Sequence, residues 1–340
     1  MRTDRILAAA FVVLVSTAIV GFSTGNSSAS FTGATTNPGQ ILNTQSVAPP
    51  ASFTSATSAV AGRIDLVWTA TTSPAGSHTL TYLVLRGPVG GPYAQIGTTA
   101  GLTYSDTPGA DGTYEYVVQS KIAQGSGFFT SVNSATKSTK SDRTAPTMSV
   151  TCNGGSCAGW FNGSVTFAVS GADGAGVGMG TATTNIDGAG AITSAAPRTV
   201  TVSGESATHS VVYSGADAAT NASGNSSQTV KIDLTNPTAA GGITAATGSN
   251  SGELNVTGTS AGTDALSGVA GYRVHYASTA TTCPATPYAA YQYFAGNPPA
   301  TPLVLTGLTT NTKYCVYAVT LDNAGNLSAL SNTGGPAKAK

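Results

Sequence analysis

Charged side chains are scarce in this chain. Of its 340 residues, 14 are basic and 14 are acidic, so charged residues make up 8% and the formal net charge is zero. An ordinary soluble domain carries about 25% charged residues. A nucleic-acid partner requires a basic face that neutralises phosphates, so this composition excludes nucleic acid as a partner. Contacts with any other partner are expected to be short-range and hydrogen-bonded, since long-range electrostatic steering is weak.

Histidine is scarce as well, which limits the chemistry the chain can perform. The three histidines, His78, His209 and His275, lie far apart in the sequence, so neither a Ser–His–Asp triad nor a zinc site with paired histidines is predicted. The pattern Gly-x-Ser-x-Gly occurs at 21–25 and 258–262, but no predicted helix follows the second occurrence to form a nucleophile elbow.

The sequence also shows no pair of neighbouring carboxylates of the kind that cleaves glycosides. The three glutamates, Glu115, Glu205 and Glu253, are widely separated, and the aspartates cluster with Gly and Asn, as they do in turns. We therefore predict that the chain is not an enzyme, has no catalytic residue and needs no cofactor.

A single long uncharged run stands at the N-terminus. Residues 6–21 follow a start that contains Arg2 and Arg5, and sixteen residues are fewer than the about 20 needed to cross a bilayer. With the small residues 27–29 as a cleavage site, residues 1–29 are predicted to be a signal peptide. The alternative is an uncleaved anchor that extends through Gly25. The mature product is expected to be extracellular, secreted or surface-associated, without membrane contact.

Glycine is abundant, with 42 residues, and a short motif repeats. Residues 142–147 (DRTAPT) recur as residues 233–238 (DLTNPT), and residues 48–50 provide an earlier proline marker. Spacing of this size is typical of immunoglobulin-sized sandwiches. It predicts a polar linker at 30–47, domains at 48–141, 142–236 and 237–335, and a tail at 336–340.

Apolar and polar residues alternate between turn clusters in all three predicted domains. Examples are residues 64–68, 165–169 and 272–276. A period of two indicates half-buried strands, whereas no helical period occurs after the signal peptide. The fold class predicted is all-β, a tandem array of three immunoglobulin-sized β-sandwiches, which the resemblances below identify as Ig-like or fibronectin type III-like.

The first and third domains resemble fibronectin type III domains. In the first, residues 66–68 resemble the second strand with its core residue Trp68, and Tyr114 resembles the tyrosine of the corner that ties a strand to the upstream chain. In the third, Tyr314 takes that corner position, while Val256 replaces the tryptophan. The resemblance therefore implies a smaller core in the third domain.

The middle domain resembles the Ig-like repeats of bacterial surface proteins. The matching segments are residues 159–162, 173–177, 186–188, 213–219 and 231–233. Taken together, the chain resembles a secreted bacterial modular protein in which two fibronectin type III-like domains flank a bacterial Ig-like domain.

Four cysteines allow three pairings. Cys152 and Cys157 lie in the middle domain, and Cys283 and Cys315 lie in the third. In an exported chain disulfides persist, so two disulfides within these domains are predicted.

Acidic and amide side chains in several loops raise the question of calcium. They are Asp173, Asp217, Asn221, Asp322 and Asn323. Each loop supplies only one or two carboxylates and lacks EF-hand spacing, whereas calcium takes six to eight oxygen ligands. Asx turns explain these residues more simply, so no metal site is predicted.

The best ligand-binding candidate is the aromatic run at 287–294. Its candidate residues are Tyr288, Tyr291 and Tyr293. In a strand, Tyr291 and Tyr293 share one face and Phe294 lies on the other. An exposed row of tyrosines suits sugar rings or a protein partner. The alternative is that these rings cover the core thinned at Val256.

These observations predict a non-catalytic extracellular modular protein that binds or spaces at a bacterial surface or matrix. The alternative is an accessory to polysaccharide binding or degradation, acting beside a separate glycosidase, as the fibronectin-like resemblance implies. The partner is an unidentified extracellular protein or polysaccharide.

The signal-peptide prediction is tested by fractionating expressing cells. The mature protein is expected in the culture supernatant or wall fraction with a new N-terminus at Ser30, because cleavage follows the small residues 27–29. N-terminal sequencing reads this directly. Recovery of product beginning at Met1 in the membrane fraction would contradict the prediction and favour the anchor.

Overall fold

The computed structural model describes residues 46–57, 60–72, 79–124, 127–258, 260–296 and 302–340. The predicted signal peptide and nearly all of the predicted linker lie outside these residues. Within them, every regular element is a β-strand. No helix in this part of the chain is long and apolar enough to cross a membrane.

The first eight strands form two sheets. The strands are β1 (Phe53–Thr57), β2 (Ile64–Trp68), β3 (Thr79–Gly87), β4 (Ala94–Thr99), β5 (Thr103–Asp106), β6 (Gly112–Gln124), β7 (Gly127–Thr130) and β8 (Lys137–Ser141). One sheet has the order β1-β2-β5; the other has the order β4-β3-β6-β7, with β8 also paired to β6.

The next eight strands form the middle pair of sheets. They are β9 (Thr147–Cys152), β10 (Trp160–Phe161), β11 (Val165–Ala172), β12 (Met179–Ile186), β13 (Ile192–Ala195), β14 (Arg198–Val202), β15 (Ser206–Asp217) and β16 (Ser226–Ile232). The sheet orders are β14-β11-β9 and β10-β16-β15-β12-β13.

The last seven strands form a third pair. They are β17 (Thr244–Thr247), β18 (Leu254–Thr257), β19 (Val269–Thr279), β20 (Ala290–Ala295), β21 (Leu303–Leu305), β22 (Lys313–Asp322) and β23 (Gly334–Lys338). The orders β17-β18-β21 and β20-β19-β22-β23 repeat the first pair, with β17, β18, β19, β20, β21, β22 and β23 in the places of β1, β2, β3, β4, β5, β6 and β8.

The predicted fold class is confirmed: the described chain is all-β, with Ig-like and fibronectin type III-like sandwiches in tandem. The chain divides into two compact units, and both later sheet pairs belong to the second, which comprises 57–63, 107–112 and 140–340. β23 (Gly334–Lys338) extends into the segment predicted as a tail, 336–340, and the side chain of Ala339 is fully buried in the third core.

Trp68 is a core residue, as predicted from the resemblance. Alternation along β2 buries Ile64, Leu66 and Trp68 on one face, and the Trp68 ring meets Tyr82 edge-on at 5.5 Å between ring centroids. These side chains, with buried residues from β3 and β6, form the core between the two sheets.

The third sandwich lacks this ring, and the position that corresponds to Trp68 is not Val256, as the sequence suggested. The same sequence offset relates Leu66 to Val256 and Tyr82 to Tyr272, and it makes Gly258 the counterpart of Trp68. Val256, Gly258 and Tyr272 line a cavity of about 90 Å³. Neighbouring side chains therefore fill only part of the space that the indole ring occupies in the first sandwich.

The tyrosine corner predicted at Tyr314 is present. Its hydroxyl accepts a hydrogen bond from the backbone N–H of Thr309, five residues upstream, at 3.0 Å. In the first sandwich, the buried Tyr116 donates to Asp106 of the upstream strand β5 at 2.7 Å. Burial and this bond raise the pKa of Tyr116. Tyr114 is partly buried against the same core, beneath the Arg86 guanidinium.

Both predicted disulfides are present. Cys152 is bonded to Cys157, and Cys283 is bonded to Cys315 across a sequence separation of 32 residues. No cysteine is free. The second bond ties the loop between β19 and β20 to the central strand β22, and it does so on the sheet face away from the main core.

The cavity in the third sandwich generates a stability prediction. Val256→Ile adds one methylene into existing space and is expected to raise the free energy of unfolding by about 0.8 kcal/mol, the value of a buried methylene. Chemical denaturation of the full chain measures this change. Val67→Ile, which adds the same group at a half-exposed position of β2, is the control and should leave stability unchanged. A destabilised Val256→Ile variant would mean that the space cannot accept the group.

Candidate functional site

The outer face of the four-stranded sheet in the third sandwich carries an exposed aromatic cluster. On β19, Tyr272 and Val274 enter the main core, so the alternate residues Arg273 and His275 lie on the outer face. On β20, Phe294 packs against that core. Tyr291 and Tyr293 are exposed, at 47% and 48% of their surface.

Strand register lines up a row of rings across this face. His275 pairs with Tyr291 of β20 on one side and with Tyr317 of β22 on the other. The His275 ring lies 5.0 Å from the Tyr291 ring and stacks on Tyr317 at 4.9 Å with an interplanar angle of 8°. Tyr288 continues the row, 5.0 Å from Tyr317.

The inner end of the row is Tyr288, and here the structure corrects the sequence prediction. Tyr288 is 5% exposed and packs in a small cluster with Cys315, Tyr317 and Val319. Its backbone N–H donates to the Tyr317 hydroxyl at 3.0 Å, and its own hydroxyl donates to the carbonyl of Pro284. Tyr288 supports the row and presents no surface to a ligand.

The disulfide-linked loop fixes the middle of the row. Nδ1 of His275 lies 2.8 Å from the backbone oxygen of Tyr288, and the Cys283–Cys315 bond holds the preceding part of that loop on β22. Since one ring nitrogen of His275 is engaged and its flat side is covered by Tyr317, the imidazole is held in one orientation.

The exposed end of the row is also held in place. The Arg273 guanidinium lies 5.3 Å from the centroid of the Tyr291 ring, and the Tyr293 hydroxyl donates to the carbonyl of Ala270 at 3.1 Å. Gly271 permits this position of Tyr293, because a Cβ at Gly271 would lie 2.7 Å from the Tyr293 hydroxyl oxygen.

We call Arg273, His275, Tyr291 and Tyr293 the aromatic face. It offers flat apolar ring area together with a guanidinium and phenol groups that form hydrogen bonds. Ring faces of this kind stack on the apolar faces of sugars or on a protein surface, while the polar tips fix orientation. Its rings are already ordered, so little conformational entropy is lost on binding.

Arg273 and His275 were not predicted as site residues. They lie in a strand whose alternation was recognised, but the sequence does not show which strand pairs with β19 or in which register. The pairing of His275 with Tyr291 and of Arg273 with Tyr293 is therefore information that only the folded sheet supplies.

The described residues place a histidine and an aspartate together in the middle sandwich. Nδ1 of His209 lies 2.7 Å from Asp187, and Nε2 lies 3.0 Å from the carbonyl of Gly204. Both ring nitrogens are thus directed at oxygen acceptors, and neither is directed at a nucleophile. Ser260 lies in a bridge with Gly241 instead of on a strand-to-helix turn.

Comparisons with known proteins add distant likenesses. No family model matches the chain, and no curated protein matches it. Among solved structures, the chain is similar to the chicken CNTN1 FN1-FN3 domains, with 14% identity, a TM-score of 0.37 and coverage of 84% of this chain and 97% of that chain. It is also similar to titin domains A168-A170, with 13% identity, a TM-score of 0.38 and coverage of 86% and 98%. Neither likeness bears on a ligand.

The two kinds of tyrosine in the row should differ in their effect on stability. Tyr288→Ser is expected to cost about 3–5 kcal/mol, since it empties a buried aromatic position. The double variant Tyr291→Ser/Tyr293→Ser should cost no more than about 1 kcal/mol, because both rings are half exposed. Denaturant titration of each full-length variant checks this. Equal losses in the two variants would show that Tyr291 and Tyr293 serve the core.

Proposed function

We propose that this chain is a non-catalytic extracellular protein that carries tandem β-sandwiches and binds a partner at a bacterial cell surface or matrix through the aromatic face. The observation that carries the proposal is the pair of half-exposed tyrosines, Tyr291 and Tyr293, held on a rigid sheet beside Arg273 and His275. Exposed, preordered aromatic and arginine side chains are typical of binding hot spots.

An extracellular location is supported by the two disulfides, because such bonds persist in oxidising compartments and are rare in the cytosol. The spacing part of the proposal is supported by the repetition of whole sandwiches along the chain. The bacterial part of the proposal is supported by the resemblance of the middle domain to the Ig-like repeats of bacterial surface proteins.

A second candidate function is accessory binding of an extracellular polysaccharide that a separate glycosidase degrades. The geometry of the aromatic face favours this candidate in one respect. The Tyr291 and Tyr293 rings lie two residues apart on one strand face, which is a separation of about 6–7 Å along the strand. Neighbouring rings on one face of a strand can contact successive parts of an extended chain, as single-strand binding proteins contact successive bases.

The test is depletion of the purified mature protein from solution by insoluble polysaccharides and by cell-wall sacculi. Tyr291→Ser/Tyr293→Ser is expected to bind at least about tenfold more weakly than the wild-type protein, a loss of about 1.4 kcal/mol. The matched control is Phe128→Ser/Phe129→Ser, which removes two exposed aromatic rings from β7 of the first sandwich.

Equal depletion of wild-type protein and the tyrosine variant would contradict a role for the aromatic face. Wild-type protein that binds cell-wall preparations only before protease treatment, and binds no purified polysaccharide, would favour a protein partner. Loss of binding in the phenylalanine variant alone would move the site to the first sandwich.

A further inference from the structure

Three aspartates from separate parts of the second compact unit converge at one point. They are Asp142, Asp173 and Asp217, and one carboxylate oxygen from each lies within 4.8 Å of the others. Asp142 is 1% exposed and Asp217 is 3% exposed. We call these three residues the first acidic cluster.

The sequence assigns these residues to different loops, which is why counting ligands loop by loop predicted no metal. Asp142 follows β8 in the connecting segment, Asp173 follows β11, and Asp217 ends β15. Antiparallel packing brings these strand ends together at one end of the middle sandwich. The oxygens available to an ion are therefore those of all three aspartates together, and not those of any single loop.

One oxygen of this cluster has no partner. Asp173 is 9% exposed, and its Oδ1 is buried without a hydrogen-bond partner. Its Oδ2 accepts from the backbone N–H of Gly178 at 2.6 Å. An unsatisfied buried carboxylate beside two others is costly unless a cation neutralises it.

The other two carboxylates are held in fixed orientations. Asp142 accepts from the N–H groups of Thr144 and Val177, at 3.0 and 2.8 Å. Asp217 accepts from the backbone and side-chain amides of Asn221, at 2.8 and 2.6 Å. Each carboxylate oxygen has two lone pairs, so these bonds leave acceptor capacity and act as the outer shell that orients metal ligands.

We propose that the first acidic cluster binds a hard divalent cation, with Ca²⁺ as the ion that fits. The ligands are all carboxylate oxygens, which hard cations prefer. Two oxygens that are each about 2.4 Å from one Ca²⁺ ion lie at most about 4.8 Å apart, and the three carboxylates meet that limit.

Charge and access both agree with this proposal. The Lys140 ammonium donates to the backbone carbonyls of Ala175 and Gly176, at 2.9 and 3.1 Å. A single positive charge cannot balance three carboxylates. Asp142 and Asp173 also line an open cleft of about 480 Å³, which gives an ion a path to the cluster and room for water ligands.

The chain repeats most of this arrangement in a second acidic cluster. Asp233, Asp264 and Asp322 also have carboxylate oxygens within 4.8 Å of one another. Asn326 donates to Asp322 and to the backbone oxygen of Asp233, as Asn221 does to Asp217 and to that of Asp142. Among the described residues, this second cluster has no buried oxygen without a partner, so it serves as an internal comparison.

The experiment is calorimetric titration of the purified mature chain with CaCl₂, and separately with MgCl₂, after removal of metal by a chelator. CaCl₂ is carried to about 10 mM, above the dissociation constants of roughly 0.1–1 mM typical of extracellular calcium modules. Asp173→Asn is expected to lose one equivalent of bound Ca²⁺, or to weaken its binding at least about tenfold. Asp142→Asn is the second variant, for use if Asp173→Asn does not fold.

The matched control is Asp187→Asn, which removes one carboxylate from the same sandwich outside the cluster and should leave the Ca²⁺ titration unchanged. Melting temperatures distinguish a cation-binding cluster from a cluster whose carboxylates only stabilise turns. With chelator present, Asp173→Asn should melt no lower than the wild-type protein, because it relieves charge repulsion. In CaCl₂ only the wild-type protein should gain stability from this site.

Several outcomes would overturn the proposal. They are the absence of Ca²⁺ binding by the wild-type chain, binding that Asp173→Asn leaves intact, and binding that only Asp264→Asn removes, which would place the ion at the second cluster. Equal binding of Mg²⁺ and Ca²⁺, lost in Asp173→Asn, would support a divalent site but overturn the assignment to calcium.

Discussion

A buried carboxylate must find hydrogen-bond donors or a cation, and this requirement organises the chain. Only 14 residues are acidic, yet at least six of them are buried: Asp106, Asp142, Asp173, Asp217, Asp233 and Asp322. Burial of so large a share of so few charges is unusual, since Asp is among the residues least often found inside. Asp106 holds the Arg86 and Tyr116 side chains of two strands, whereas the donors to Asp142, Asp173 and Asp217 include backbone N–H groups of the loops at strand ends.

The connecting segments show how this works. Asp142 and Asp233 open the two repeated DxTxPT segments, and each accepts from the backbone N–H two residues ahead and from an N–H of a distant loop. An asparagine from another loop then donates to the backbone oxygen of each aspartate. The repeat seen in the sequence is thus a repeated hydrogen-bonded unit, and its proline is the less informative part.

Local pattern predicted the fold well because strand formation and burial in a sandwich are recorded in alternation. Residues 64–68 and 314–319 were read as strands with one buried face, and both disulfides followed from the position of the cysteines in the domains. Contacts that depend on register were less accessible. Tyr288 looks like part of an exposed run in the sequence, but the turn before β20 folds it onto Tyr317. To identify Gly258 as the counterpart of Trp68, the strands of two sandwiches had to be aligned. The acidic clusters required residues from three separate segments of the chain to meet.

Because many of the few carboxylates are buried, the solvent-exposed surface carries few charges and consists largely of Ser, Thr, Asn and Gly. Colloidal repulsion between copies is then weak at a net charge of zero, and the copies stay apart mainly through the hydration of hydroxyl and amide groups. Dissolved salt screens charges but has little effect on neutral hydrogen-bonding groups. Such an exterior presents nearly the same surface to its surroundings in dilute and in concentrated salt.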